Sequence, residues 1–179
     1  MSATQSDKSR LGTLYLVPVP LGDQAWMVDA LPASAIARAS VLEYFIVERA
    51  KTARAFIKQL GVNKPIAELS ILELNEHSPN GWVAELLKPI LAGQDAGLMS
   101  EAGCPAVADP GADLVAAAHA AGIQVVPLVG PSSIMLTLMA CGLNGQRHAH
   151  RHRERLELDS RRAGRIAVVR CDCHDRWRG

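Results

Sequence analysis

Ala96-Gly-Leu-Met-Ser-Glu-Ala-Gly-Cys-Pro-Ala-Val-Ala-Asp-Pro-Gly111 decides the fold. Ala96–Met99 is apolar on both sides, as a strand buried on two faces must be. It runs into a turn of small residues and prolines. Asp109-Pro110-Gly111 then opens a helix, since Asp is a favoured N-cap and Pro fits the first helical position, where its missing N–H is no loss. The pattern repeats downstream: Gln124–Val129 reads as a strand, Gly130-Pro131-Ser132-Ser133 as a turn, and Ser132–Cys141 as a helix ended by Gly142. Strand, turn and helix in this order build a parallel sheet, and both turns leave its carboxyl edge. Helix N-termini and backbone amides converge there, which is where open α/β sheets bind ligands. Two loops without bulky side chains predict a small-molecule crevice.

The same alternation extends toward the N-terminus. Leu14–Val19 reads as a buried strand punctuated by Pro18 and Pro20, entering the turn Leu21-Gly22-Asp23. Pro32–Ala39 is a short Ala-rich helix and Val41–Val47 a β-branched and aromatic strand. Lys51–Leu60 places Ala53, Phe56, Ile57 and Leu60 at helical spacing, and Gly61 stops it. Ile66–Leu74 reads as a strand with helix left open. Asn80–Leu91 reads as a helix with Val83, Leu86, Leu87, Ile90 and Leu91 on one face and Pro89 straining its last turn. The helix from Asp109 runs to Ala121 and is closed by Gly122. Together these predict an open, mostly parallel α/β sheet flanked by helices, with no internal repeat.

Composition sets the limits. The 179 residues are 49% apolar and 21% charged, which suits one α/β domain, and 4% aromatics require an aliphatic core. The net charge of +1 does not announce a polyanion-binding protein as a whole. Its distribution is uneven: ten of the fourteen arginines and four of the six histidines lie in residues 147–179, which hold no lysine. The expected organisation is a flexible N-terminus over 1–10, an α/β domain over 11–146, and an Arg/His-rich tail over 147–179 that reads as non-native or disordered. The polar N-terminus lacks a signal-peptide core and no apolar run is long enough to cross a membrane, so the expected location is cytoplasmic. Cys104, Cys141, Cys171 and Cys173 follow no disulfide or zinc spacing and are expected as free thiols.

Several residues carry candidate chemistry. Neither G-x-G-x-x-G nor G-K-[ST] is present, so a dinucleotide or nucleoside triphosphate is not indicated. Glu101 opens the middle loop, either as a local cap or as a functional acid. Glu48-Arg49-Ala50-Lys51 follows the second strand and brings charge to the same edge. Ser132 and Ser133 put two hydroxyls at a helix N-terminus, able to cap it or to hold a ligand's carboxylate. Cys171, Cys173, His174 and the alternating His148, His150 and His152 are too loosely spaced for a metal site, and no metal is expected.

Three ordered motifs, Leu14-Tyr-Leu-Val-Pro-Val-Pro-Leu-Gly22, Ser100-Glu-Ala-Gly-Cys-Pro-Ala-Val-Ala-Asp-Pro-Gly111 and Val125-Val-Pro-Leu-Val-Gly-Pro-Ser-Ser133, resemble the tetrapyrrole (corrin/porphyrin) methylase family. The nearest branch contains the small-subunit ribosomal RNA ribose 2′-O-methyltransferases. The resemblance covers roughly residues 11–146. It implies an S-adenosylmethionine-dependent methyltransferase of two α/β lobes, usually a homodimer, with the cofactor between the lobes. Carried over by position, it implies that Pro20, Leu21 and Gly22, then Ser100, Glu101, Ala102, Gly103, Cys104 and Val107, then Ser132 and Ser133 line the cofactor. Glu48 and Glu101 are the carboxylates with a claim to act as base on an acceptor hydroxyl. RNA stands slightly ahead of a tetrapyrrole as substrate.

Two departures bear on that substrate. The ribosomal branch typically has Glu-Asp-Thr-Arg where this chain has Glu48-Arg49-Ala50-Lys51, and Asp-Ala-Gly-Thr-Pro where it has Glu101-Ala-Gly-Cys-Pro. The resemblance implies a second lobe after Gln146, and the sequence reads as having that lobe missing or truncated. The rival readings are a non-catalytic fragment of such an enzyme and a nucleic-acid-binding module working through the arginine tail.

Overall fold

The structure, a computed structural model, describes residues 10–22 and 30–141. The tail 147–179 and most of the N-terminal segment therefore lie outside the described residues, as does Asp23. The chain divides into two compact units, residues 1–133 and 134–179.

Unit one is built on a five-stranded parallel sheet of order β3-β2-β4-β1-β5. Its strands are β1 (Thr13–Leu16), β2 (Tyr44–Val47), β3 (Ser70–Glu73), β4 (Ala96–Met99) and β5 (Gln124–Pro127). Between them run α1 (Ala33–Ala39), α2 (Ala50–Leu60), α3 (Trp82–Leu91) and α4 (Gly111–Ala120). The described part of unit two is α5 (Ser133–Ala140), which begins at the last residue of unit one, followed by Cys141.

Residue alternation along each strand sorts the helices onto two faces. Leu14, Tyr44, Ile46, Ala96 and Leu98 pack with Leu86, Leu87 and Ile90 of α3 and Leu114 and Ala118 of α4. Val17, Phe45, Val47 and Met99 pack with Ala39 of α1 and Ala53, Phe56, Ile57 and Leu60 of α2. Phe45 fits because its register partner on β4 is Gly97, where a Cβ would lie 3.0 Å from the ring.

The differences from the expected elements are local. β1 stops at Leu16 because Pro18 lacks the N–H that the ladder needs. Ile66–Leu74 is mixed: Ile66–Glu68 forms a single 3-10 turn after Pro65, and only Ser70–Glu73 is strand. The Val41–Val47 segment pairs only from Tyr44, and Leu91 turns out to solvent at the end of α3.

Strand order creates a switch point. The chain leaves β1 toward β2 on one side, and leaves β4 toward β5 on the other. Since β1 and β4 are neighbours, the chain crosses from them to opposite faces, the switch point at which open sheets of this kind form a ligand crevice.

Candidate functional site

Three loops meet above β1 and β4. Beyond β1, Val19 exchanges both backbone hydrogen bonds with Gly103 of the loop after β4, at 2.9 and 2.8 Å. The third loop joins through Leu128 N–H, which donates to Leu16 O at 3.0 Å, and through the Cys104 thiol, which donates to Pro131 O at 3.3 Å. Two glycines permit the approach. Gly103 sits at φ +71° with room for a Cβ only 3.1 Å from Leu21, and a Cβ on Gly130 would fall 2.2 Å from the Pro18 ring.

These contacts place loops 18–22, 100–105 and 130–132 on one edge, as the order of strands and turns requires. Leu21, Val107 and Val129, from the segments that follow β1, β4 and β5, are 36%, 56% and 73% exposed, while β4 is wholly buried. Apolar side chains presented by small-residue loops suit the apolar body of a ligand. Pro20 is half-buried beside Leu21, while Gly22 and Ala102 are exposed. The Ser100 hydroxyl donates within its own loop to Ala102 O at 3.1 Å, and Cys104 is spent on Pro131. Those two residues shape the loops.

Asp109 organises the far side of the middle loop. Its carboxylate accepts the Gly111 amide at 2.8 Å at the start of α4 and the Ala106 amide at 2.8 and 3.1 Å. Ala106 stands at φ +63°, a left-handed conformation that a non-glycine residue holds only when its surroundings impose it. The Asp-Pro helix start was readable in the sequence. The second task of that carboxylate was not.

The acids gather beside the crevice, on the neighbouring pair β2 and β4. Glu48 accepts the Glu101 amide at 3.1 Å. Glu101 in turn accepts from the Thr52 hydroxyl and lies 3.7 Å from the Arg49 guanidinium. Glu73, at the end of β3, accepts the Ala50 amide at 2.7 Å and so caps α2. Thr52 was missed as a site residue, and Arg49 was read as charge at this edge without its partner. Pairing either with Glu101 needs β4 as a known neighbour of β2.

A cavity of about 360 Å³ opens at the opposite edge, between Arg10–Leu11, Val41–Glu43 and Gly93–Asp95. The C-termini of α1 and α3 point there, so it lacks the amide donors of the carboxyl edge. Among the described residues no three His, Cys, Asp or Glu side chains gather as a metal site would require.

No family model matches the chain. Individual proteins do. The ribosomal RNA small subunit methyltransferase I of Escherichia coli O157:H7 is 30% identical over 150 residues, 84% of this chain and 49% of its own length. That of Xylella fastidiosa is 32% identical over 137 residues, 76% of this chain and 46% of its own. That of Synechocystis is 30% identical over 133 residues, 74% of this chain and 44% of its own.

These likenesses agree with the resemblance of the three loops to the tetrapyrrole methylase family. The chain spans about half the length of the curated relatives it matches. Its three family-like loops are the ones that interlock at the switch point. The departure at Arg49 also acquires a local meaning, because that cation faces Glu101.

Proposed function

We propose that this chain carries the S-adenosylmethionine-binding lobe of a methyltransferase acting on RNA, working in the cytoplasm as a homodimer. The observation that carries the reading is the interlocked set of three loops at the switch point, with Leu21 against Gly103 and with Val107 and Val129 exposed. The names of the relatives support it. Pro20–Gly22, Glu101–Gly103 with Val107, and Ser132–Ser133 would line the cofactor, on loops that Ser100 and Cys104 shape. Gly103 leaves the crevice floor open, and Leu21 and Val107 offer apolar surface to the adenosine and methionine portions.

S-adenosylmethionine supplies an electrophilic methyl group on a sulfonium, so the protein's task is to align an acceptor and keep water out. An RNA ribose hydroxyl is a weak acid and gains from a base. We assign that role first to Glu48. One of its oxygens accepts the Glu101 amide, which fixes the carboxylate, and the other has no described partner. Glu101 is held by Thr52 and Arg49 and positions the pair.

The test is calorimetric titration of the full chain with S-adenosylhomocysteine, the demethylated product, with NAD as control. Binding of the first and not the second is expected. Gly103→Trp is expected to abolish it, because any side chain at φ +71° is strained and an indole would fill the space against Leu21. A thermal melt confirms that the variant folds. Equal affinity for NAD, or undiminished binding by a folded Gly103→Trp, would overturn the assignment.

A further inference from the structure

The outer surface of α2 carries a charge pattern that the cofactor crevice does not use. From Arg49 to Lys64 the chain has five cations, Arg49, Lys51, Arg54, Lys58 and Lys64, and no acid. Lys64 is neutralised by Glu43 at 2.7 Å and Arg49 faces Glu101. Lys51, Arg54 and Lys58 are exposed, and no described acid pairs with any of them. At three- and four-residue steps they fall on one stripe opposite the buried Ala53, Phe56, Ile57 and Leu60, spanning roughly 10 Å of helix axis at 1.5 Å per residue. The helices of the other face carry no such stripe: Glu85 pairs with Lys88 at 2.6 Å, and α4 holds Asp113.

Position gives the stripe its meaning. α2 starts at the carboxyl edge, directly after Glu48 and Arg49, and runs away over the sheet. Its first free cation, Lys51, is three residues from Glu48. A chain of phosphates lying on α2 would therefore lead to the acids beside the crevice. Ammonium and guanidinium groups without local partners bind phosphates by releasing the counterions condensed on a polyanion, without reading bases.

We infer that Lys51, Arg54 and Lys58 form the surface on which the phosphodiester backbone of the RNA substrate lies. This rests on the RNA methyltransferase reading above. An acidic protein surface is the competing occupant, and single-stranded RNA is favoured because the stripe is narrow, linear and joined to the site.

The test measures binding of a single-stranded RNA of about twenty nucleotides to the full chain at salt from about 50 to 300 mM. The wild type is compared with the triple variant Lys51→Gln, Arg54→Gln, Lys58→Gln and with Lys88→Gln. The arginines of residues 147–179 are common to all three, so the difference reports the stripe. The triple variant is expected to flatten the plot of log affinity against log salt by about 2, three phosphates at roughly 0.7 each, and to bind at least tenfold more weakly at low salt. Lys88→Gln is expected to match the wild type. An unchanged slope in the triple variant overturns the proposal, as does displacement of RNA by polyaspartate at equal charge. Parallel titration with S-adenosylhomocysteine separates the two claims. Loss of that binding in the wild type defeats the methyltransferase reading, whereas an unchanged salt slope defeats the stripe alone.

Discussion

The two faces of the sheet bury the same kind of core and present opposite kinds of outer surface. Under α1 and α2 lie Phe45, Val47, Phe56, Ile57 and Met99; under α3 and α4 lie Leu14, Tyr44, Ile46, Leu86, Ile90 and Leu114. Outside, one face shows Arg38, Lys51, Arg54 and Lys58, and the other a neutralised Glu85–Lys88 pair with Asp113 and His119. Burial decides how the chain folds and is symmetric about the sheet. Charge decides what the folded domain can meet, and it is free to differ because solvated side chains contribute little to stability.

The symmetric half of that comparison gives the largest expected effect. Phe45 and Ile46 are adjacent on β2, both fully buried, and point to opposite faces. Phe45→Ala is expected to destabilise by about 3–5 kcal/mol and Ile46→Ala by about 2–5 kcal/mol, from lost transfer energy and the cavity left behind. Urea unfolding measures both. A loss below about 1 kcal/mol for either would mean that its face is no true core.

Much of this was legible in the chain itself. Ala53, Phe56, Ile57 and Leu60, read from spacing in α2, are its buried residues, because one helix packed on one sheet shows its period plainly. Gly61, read as the stop, stands at φ +67° as a left-handed C-cap. The small-residue loops also pointed to the carboxyl edge. What could not be read is which strands are neighbours. The Glu48–Glu101–Arg49–Thr52 cluster exists only because β2 lies beside β4, two strands that α2, β3 and α3 separate in sequence. Of the stripe on α2 only Lys51 was read, as charge at the carboxyl edge, because Arg54 and Lys58 gain meaning only from lying next to that cluster. Ile66–Leu74 stayed ambiguous because a 3-10 turn and a short strand share one apolar run.

The next effect belongs to the loop where the two faces part. Asp109→Ala removes the acceptor for the Ala106 and Gly111 amides and leaves Ala106 without its restraint at φ +63°. A loss of about 1–2 kcal/mol is expected, the range for removing a helix-capping side chain. Affinity for S-adenosylhomocysteine should fall as well, because the loop bearing Gly103 and Val107 loosens. Asp109→Asn, which keeps one acceptor oxygen, should recover part of both. A stability loss with unchanged affinity would confine Asp109 to the fold and detach the loop's shape from the site.

The smallest effect exposes a difference inside the two otherwise matched cores. On the α3/α4 face the buried Tyr44 hydroxyl donates to Leu86 O at 2.9 Å, tying β2 to α3. Burial pushes its pKa from 10.0 up to about 12. The folded state therefore keeps its proton after the unfolded state has lost it. Between pH 10 and 12 the unfolded chain binds fewer protons, so the stability gained from Tyr44 is complete below pH 10 and declines as pH rises toward 12. Tyr44→Phe is expected to cost about 1 kcal/mol at pH 7, the net worth of one hydrogen bond. The mutant should then lose less stability than the wild type on going from pH 9 to 11, since it has no phenol to ionise on unfolding. Other groups titrate there too, so the measured quantity is the difference between the two proteins at each pH. Parallel curves would show that Tyr44 ionises as easily folded as unfolded, and that its place in the α3/α4 core is not as dry as its burial implies.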